Sequence, residues 1–170
     1  MSGSNMPEFG EARAQAWASP KIERCEGEIG QGVVAREEIE PGEVLIALAH
    51  VFTAEPSRYT IQLEEGLHQA GTGEIDDFLN HACEPSVRLD AERRCFVAAR
   101  RIAPGEELTF NYLSSEWDMA EPFECRCGSR RCLRKIRGFR HLTPEQQREL
   151  DALLTPHLRR RAWASLPSAA

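Results

Sequence analysis

"FECRCGSRRCLRKI", residues Phe123–Ile136, holds three of the chain's six cysteines, Cys125, Cys127 and Cys132, within eight residues. A Cys-x-Cys-x4-Cys run this tight, turning at Gly128, has metal-ligand spacing. Thiolates are soft donors that select zinc, in closed tetrahedral sites of four thiolates or of three thiolates and an imidazole. Three cysteines leave one position to fill. Cys25, Cys83, Cys95 and the histidines are the candidates. Cys95 lies in the strand-like "RCFVAARR" and reads equally as a core thiol. Cys25 is near the N-terminal edge. Cys83 lies in "NHACEPS", Asn80–Ser86, a polar loop able to present a thiolate, and is favoured. Redox and purely structural thiols remain alternatives.

The rest of the chain sets the bounds. Its 170 residues are 41% hydrophobic and 28% charged, enough for one domain with a core plus an extension. The formal charge of −6 argues against direct nucleic-acid binding and suits a cationic partner. No apolar run approaches a membrane span, and "MSGSNMPEFGEARAQAW" has no apolar signal core. A cytoplasmic protein with reduced, partly metal-bound thiols is the expectation, with no membrane partner. Oligomeric state is not readable.

Residues 1–20 read as a flexible N-terminal arm. From Lys21 to about Tyr112, short apolar stretches are cut by Gly and Pro. "GQGVVARE", "EVLIALAHVF", "RCFVAARRI" and "ELTFNY" read as strands, and "EPGE" (Glu40–Glu43) and "APGE" (Ala103–Glu106) as turns. The fold class is therefore mostly β, built of several small sheets. About Glu121–Arg140 is too polar to fold on its own apolar content, so a metal would supply the stability. In the closing segment Thr143 and Gln146 form a capping box, with Pro144 at the first helical position. Leu150, Leu153 and Leu154 line one face, and Pro156 ends or kinks that helix.

"NHACEP", then "GEELTFNY" some twenty residues on, then Cys-x-Cys-Gly-Ser-x-x-Cys, resembles a SET-domain protein-lysine methyltransferase with a post-SET segment. "GQGVVA" (Gly30–Ala35) is similar to the family's first Gly-x-Gly motif. The resemblance covers about Lys21–Phe139. It implies a SET fold over 21–117 with a pseudoknot-like C-terminal threading and a zinc-bound post-SET tail over 118–140; the capped segment beyond it reads by its own residues as a C-terminal helix and tail over 141–170.

The resemblance also implies the site. Cys83, Cys125, Cys127 and Cys132 share one structural zinc ion. Gly30, Gln31, Gly32, Val33, Asn80, His81, Tyr112 and Phe123 bind S-adenosylmethionine. Tyr112 is the catalytic tyrosine and Tyr59 a second active-site tyrosine. Phe110 takes the family's Phe/Tyr position. The substrate is a lysine-bearing protein or peptide. A small or carrier-bound amine or amino acid is the alternative substrate, and a non-catalytic zinc-stapled module the alternative to an enzyme. Two positions depart from the family pattern: Ser86 stands where Asn is usual and Asn111 where Asp is common. Ser86 weakens the expected hydrogen-bond network beside the cofactor. Val51–Gly73 leaves little room for an inserted substrate-selecting subdomain.

Overall fold

A computed structural model describes residues 12–164. Among them are thirteen short strands: β1 (Trp17–Ala18), β2 (Ile22–Gly27), β3 (Gly30–Ala35), β4 (Val44–Ala47), β5 (Phe52–Thr53), β6 (Ile61–Glu64), β7 (Leu67–Gln69), β8 (Asn80–His81), β9 (Val87–Asp90), β10 (Cys95–Ala98), β11 (Thr109–Phe110), β12 (Phe123–Glu124) and β13 (Lys135–Ile136). Two α-helices follow, α1 (Pro144–Glu149) and α2 (Pro156–Ala164). The fold is mostly β, in several small sheets.

The strands form a four-stranded sheet in the order β1-β4-β10-β9, a three-stranded sheet β5-β7-β6, and the pairs β2-β3, β8-β11 and β12-β13. β10 sits inside the largest sheet. Its four residues, Cys95 to Ala98, are all buried, which explains the unbroken apolar run. Cys95 is a core thiol there, pushed up to about 11 by burial. The "EPGE" and "APGE" turns are built alike. Gly42 and Gly105 take φ of 86° and 81° after a proline, the type II arrangement. In each, the closing glutamate side chain accepts from the opening backbone N–H, Glu43 from Glu40 at 2.7 Å and Glu106 from Ala103 at 2.9 Å.

Two features position the site. Residues 105–108 run along β3, with Leu108 N–H donating to Val33 O at 2.7 Å and Ala35 N–H to Glu106 O at 3.0 Å. Beyond them β11 lies parallel to β8, pairing Thr109 with Asn80 and Phe110 with His81. Ser86 N–H donates to Thr109 O and Ala82 N–H to Phe110 O, so the 82–86 loop closes around β11. This is the threading that the sequence led one to expect. A core of buried residues around Ile39, Leu45, Ile46, Phe96, Ile102 and Leu108 underlies it.

A second apolar cluster joins Leu113, Cys125, Ile136 and Phe139 to Leu150, Leu154 and Leu158. The cysteine segment thus has an apolar seat supplied by the C-terminal residues. Gly138 is needed at the join: with φ of 118°, a Cβ there would stand 2.6 Å from Trp117 O and from Asp118 Cα. The capping box forms, Thr143 Oγ1 accepting from Gln146 N–H while Gln146 returns to Thr143 N–H. Pro156 does not end that helix. α1 stops at Glu149, a 3-10 turn spans Asp151–Leu153, and Pro156 opens α2. Proline suits a first helical position, where its missing N–H costs nothing.

Of the arm read over 1–20, residues 1–11 lie outside the described residues. The remainder is tied down: β1 pairs with β4, and Arg13 exchanges hydrogen bonds with His50. Residues 165–170 of the expected tail also lie outside. No helix among the described residues is long and apolar enough to cross a membrane.

Candidate active site and metal centre

The β8–β11 pairing brings Asn80, His81 and Tyr112 together from segments about thirty residues apart. Tyr112 opens a 3-10 turn capped by Asn111, whose Oδ1 accepts from Leu113 N–H at 3.0 Å. The Tyr112 hydroxyl donates to Leu79 O at 2.7 Å, and burial pushes the phenol up, so it stays neutral. The ring packs 4.7 Å from Phe110, 5.2 Å from His81 and 5.9 Å from Phe123 between centroids. Phe110 is buried and tilts against Phe96 on its other side.

His81 is held from both ring nitrogens. Its Nδ1 accepts from Tyr112 N–H at 3.1 Å, which leaves the proton on Nε2, 3.4 Å from Cys83 Sγ. Burial lowers the imidazole to about 4, so it is neutral near pH 7. Asn80 Nδ2 donates to Gln31 O at 3.0 Å and to Glu107 Oε1 at 2.8 Å. Gly32 permits this approach. A Cβ there would stand 2.7 Å from Glu107 Oε1 and 3.2 Å from Asn80 Nδ2.

Gly30 and Gln31 are exposed beside Asn80, and Phe123 lies edge-on to His81 at 5.6 Å. Gly32 and Val33 lie behind Gly30 and Gln31 and are buried, Val33 fully, with its carbonyl accepting from Leu108 N–H. Tyr59 is set apart from this group. It is 49% exposed, beneath the Arg58 guanidinium, and lines a pocket of about 330 Å³ with Ser57, Gly71, Asp77 and Phe78. A larger cavity of about 730 Å³ is lined by Ala82, Cys83, Pro85, Leu133 and Leu150 and by none of Gly30–Gly32, Asn80, His81 or Tyr112.

Both departures from the family pattern are satisfied locally. Ser86 is fully buried, its hydroxyl donating to Glu107 O at 3.2 Å and accepting from Thr109 N–H at 2.9 Å. The hydrogen-bond network at this position is therefore complete. Asn111 Nδ2 donates to Cys83 O at 3.2 Å, which an ionised aspartate could not do.

Glu107 went unread as a site residue. Its signal was alternation: Leu108 and Phe110 face the core, which turns Glu107 toward the Asn80 side. Glu116 was also missed. It is buried, pushed up to about 7 by burial, and its carboxylate accepts from Gln62 N–H at 2.7 Å.

The four cysteines converge. The Sγ atoms of Cys83, Cys125, Cys127 and Cys132 all lie within 4.8 Å of one another, with Cys83 and Cys125 at 4.0 Å. Zinc at about 2.3 Å from each sulfur sets neighbouring sulfurs about 3.8 Å apart, so the group fits a closed tetrahedral ion. Burial pushes the Cys83 thiol up and Cys125 to about 11. Burial also acts upward on Cys127, but hydrogen bonds from the Cys83 and Ser129 backbone prevail and hold it at about 6. Four clustered thiols of this kind ionise together only beside a cation. Leu133 N–H, pointing at Cys83 Sγ at 3.4 Å, is the outer-shell donor such a site uses.

Comparison with known proteins bears on this geometry. The family model described as "SET domain" matches residues 30–113. Residues 30–113 are a SET domain. The chain shares 39% identity over 88 residues with "Methyltransferase flvH" of Aspergillus flavus, covering 48% of this chain and 46% of that protein. It is 31% identical over 99 residues to "Histone-lysine N-methyltransferase ash1" of Drosophila melanogaster, covering 54% of this chain and 4% of that one. The chain therefore spans less than half the length of these relatives. Among solved structures, KRYPTONITE in complex with mCHG DNA and SAH superposes with a TM-score of 0.57 at 25% identity, over 67% of this chain and 28% of that one. The methyltransferase domain of human SETMAR shares the fold at a TM-score of 0.54. The cysteine cluster after the SET domain is consistent with a post-SET zinc site.

Proposed function

We propose that this chain is an S-adenosylmethionine-dependent methyltransferase acting on the side-chain amine of a protein lysine. The observation that carries this reading is the parallel β8–β11 pairing in a SET domain, which lays Asn80 and His81 beside the strand that leads into Tyr112. Zinc is the second group the reading requires, held by Cys83, Cys125, Cys127 and Cys132 as a closed structural ion.

S-adenosylmethionine supplies an electrophilic methyl group on a sulfonium. The exposed Gly30 and Gln31, backed by buried Gly32 and Val33, fit its binding together with Asn80, His81 and Phe123. Asn80 is already oriented by Glu107 and Gln31 O, and neutral His81 adds no positive charge beside the sulfonium. The acceptor lysine has an ordinary pKa of about 10.4 and must lose its proton before it attacks. Phe110 and Tyr112 offer an apolar wall whose desolvation lowers that value. Tyr112, anchored on Leu79 O, positions the amine. Tyr59 and Phe78 would flank the outer part of the lysine chain. Positioning supplies much of the rate, and no protein nucleophile is used.

Methyl transfer to peptide lysines, followed by mass spectrometry with zinc-loaded protein, tests the reading. Tyr112→Phe is expected to cut transfer at least about a hundredfold while leaving cofactor binding near wild type. Asn80→Ala is expected to weaken binding of the cofactor in calorimetry. Full activity of Tyr112→Phe would remove the tyrosine from its role. A small or carrier-bound amine substrate stays as a second reading, because one relative bears the name "Methyltransferase" with no lysine substrate in it. Transfer to free amines but to no peptide would establish it.

A further inference from the structure

The charge of this molecule is segregated. Residues 123–137 carry six basic side chains against the single acid Glu124, a formal +5 in a chain that totals −6, which leaves −11 for the remainder. The six are Arg126, Arg130, Arg131, Arg134, Lys135 and Arg137, and all six are exposed. None makes a side-chain ion pair or hydrogen bond with another described residue. In the SET domain, by contrast, Arg36, Arg93, Arg100 and Arg101 each face a carboxylate within 4 Å.

The metal-ligand geometry explains how the patch is held. Clamping Cys125, Cys127 and Cys132 inward, with Ile136 buried beneath, turns the intervening side chains outward. Arg126 stands between two inward thiols, and Lys135 faces outward opposite Glu124 on the β12–β13 pair. The patch costs self-repulsion, about 0.4 kcal/mol for each pair of like charges 10 Å apart in water. It also repels a free lysine-rich substrate approaching the same end of the molecule. Both costs are offset when a polyanion lies on the patch.

We propose that this arginine face docks the phosphate backbone of a nucleic acid, without reading sequence. Five of the six cations are arginines, whose planar fork meets phosphate oxygens in pairs. The overall charge of −6, which argues against such a partner, averages over two regions of opposite sign. The acidic remainder restricts contact to this one face. The inference goes beyond the methyltransferase reading and does not depend on it.

The test is fluorescence anisotropy of a labelled duplex of about 30 base pairs with zinc-loaded full chain, from about 50 to 200 mM salt. Wild type is expected to bind, with affinity falling linearly in a log–log plot by about 0.9 per phosphate neutralised. The triple variant Arg130→Gln, Arg134→Gln, Arg137→Gln is expected to lose about three phosphates' worth of slope and at least about tenfold in affinity at the lowest salt. Arg36→Gln with Arg93→Gln and Arg101→Gln changes the net charge equally and is expected to shift affinity less than about twofold. One zinc per chain in both variants, by metal analysis, shows that neither result reflects unfolding. No duplex binding by wild type at about 50 mM salt overturns the proposal. So do equal losses in the two triple variants. A glutamate-rich peptide that binds the patch where the duplex does not overturns it too, and makes the partner an acidic protein.

Discussion

The SET core and the cysteine segment reach order by opposite means. Around Phe96, Ile39 and Leu108 the chain buries aliphatic and aromatic side chains to near-zero exposure, and Arg36, Arg100 and Arg101 on its surface face carboxylates. Between Phe123 and Arg137 only Cys125 and Ile136 are fully buried, and the cations stand unpaired. The first region is held by transfer of apolar area from water, which needs no partner. The second needs an ion, and its stability is therefore set by metal supply and by thiol chemistry. The two meet at Cys83, which belongs to the SET loop and to the sulfur cluster at once.

Removing the metal should separate the regions most sharply. Cys125→Ser, or a strong chelator, is expected to abolish methyl transfer and to release the Cys125 and Phe139 amides to fast exchange. The Val33 and Leu108 amides should stay protected. Uniform loss of protection would show that the core leans on the tail. The reverse experiment is Phe96→Ala, which empties the centre of the core and should cost about 3–5 kcal/mol in denaturant unfolding. Loss of the core by this route should carry the zinc segment with it.

A third prediction concerns pH. Burial raises the Glu116 carboxyl from 4.5 to about 7, so the folded protein holds a proton that the unfolded chain has lost. Its contribution is complete below about 4.5 and is lost as pH rises through about 7. Stability should fall across that window by on the order of 1–3 kcal/mol, and Glu116→Gln should flatten the profile. A wild-type profile already flat would refute the buried charge.

The smallest effect is expected at the C-terminal seat. Thr143→Ala removes the Gln146 N–H acceptor and should cost about 1 kcal/mol of local stability, read as faster exchange in α1 with little change in the SET core.

Much of this was readable from residue order, for identifiable reasons. The Pro-Gly turns, the strand-like runs and the capping box are local features, and each formed where its own residues dictate. The sulfur cluster was readable because metal ligands have a restricted spacing. Pro156 was misread because the residues before it break the helix first, through the 3-10 turn that lets Leu150 and Leu154 both reach the second core. Glu116 escaped notice because a glutamate in sequence gives no sign of being buried, and half-buried Glu107 because alternation gives its side of the strand and not its partner. Their roles arise only when β3, β6 and β8 bring in Gly32, Gln62 and Asn80. The Ser86 hydroxyl likewise replaces a larger amide because Glu107 O and Thr109 N–H approach it closely.

The threading of residues 105–110 past β3 and β8 bears on how the protein is made. Val33 pairs with β2 on one side but finds its partner on the other only in Leu108, and Asn80 finds its partner only in Thr109, so the N-terminal hairpin leaves the ribosome with one edge open. At about 5–20 residues per second, that edge waits several seconds for its complement. Chaperones that cover exposed strands would find their binding window in this interval.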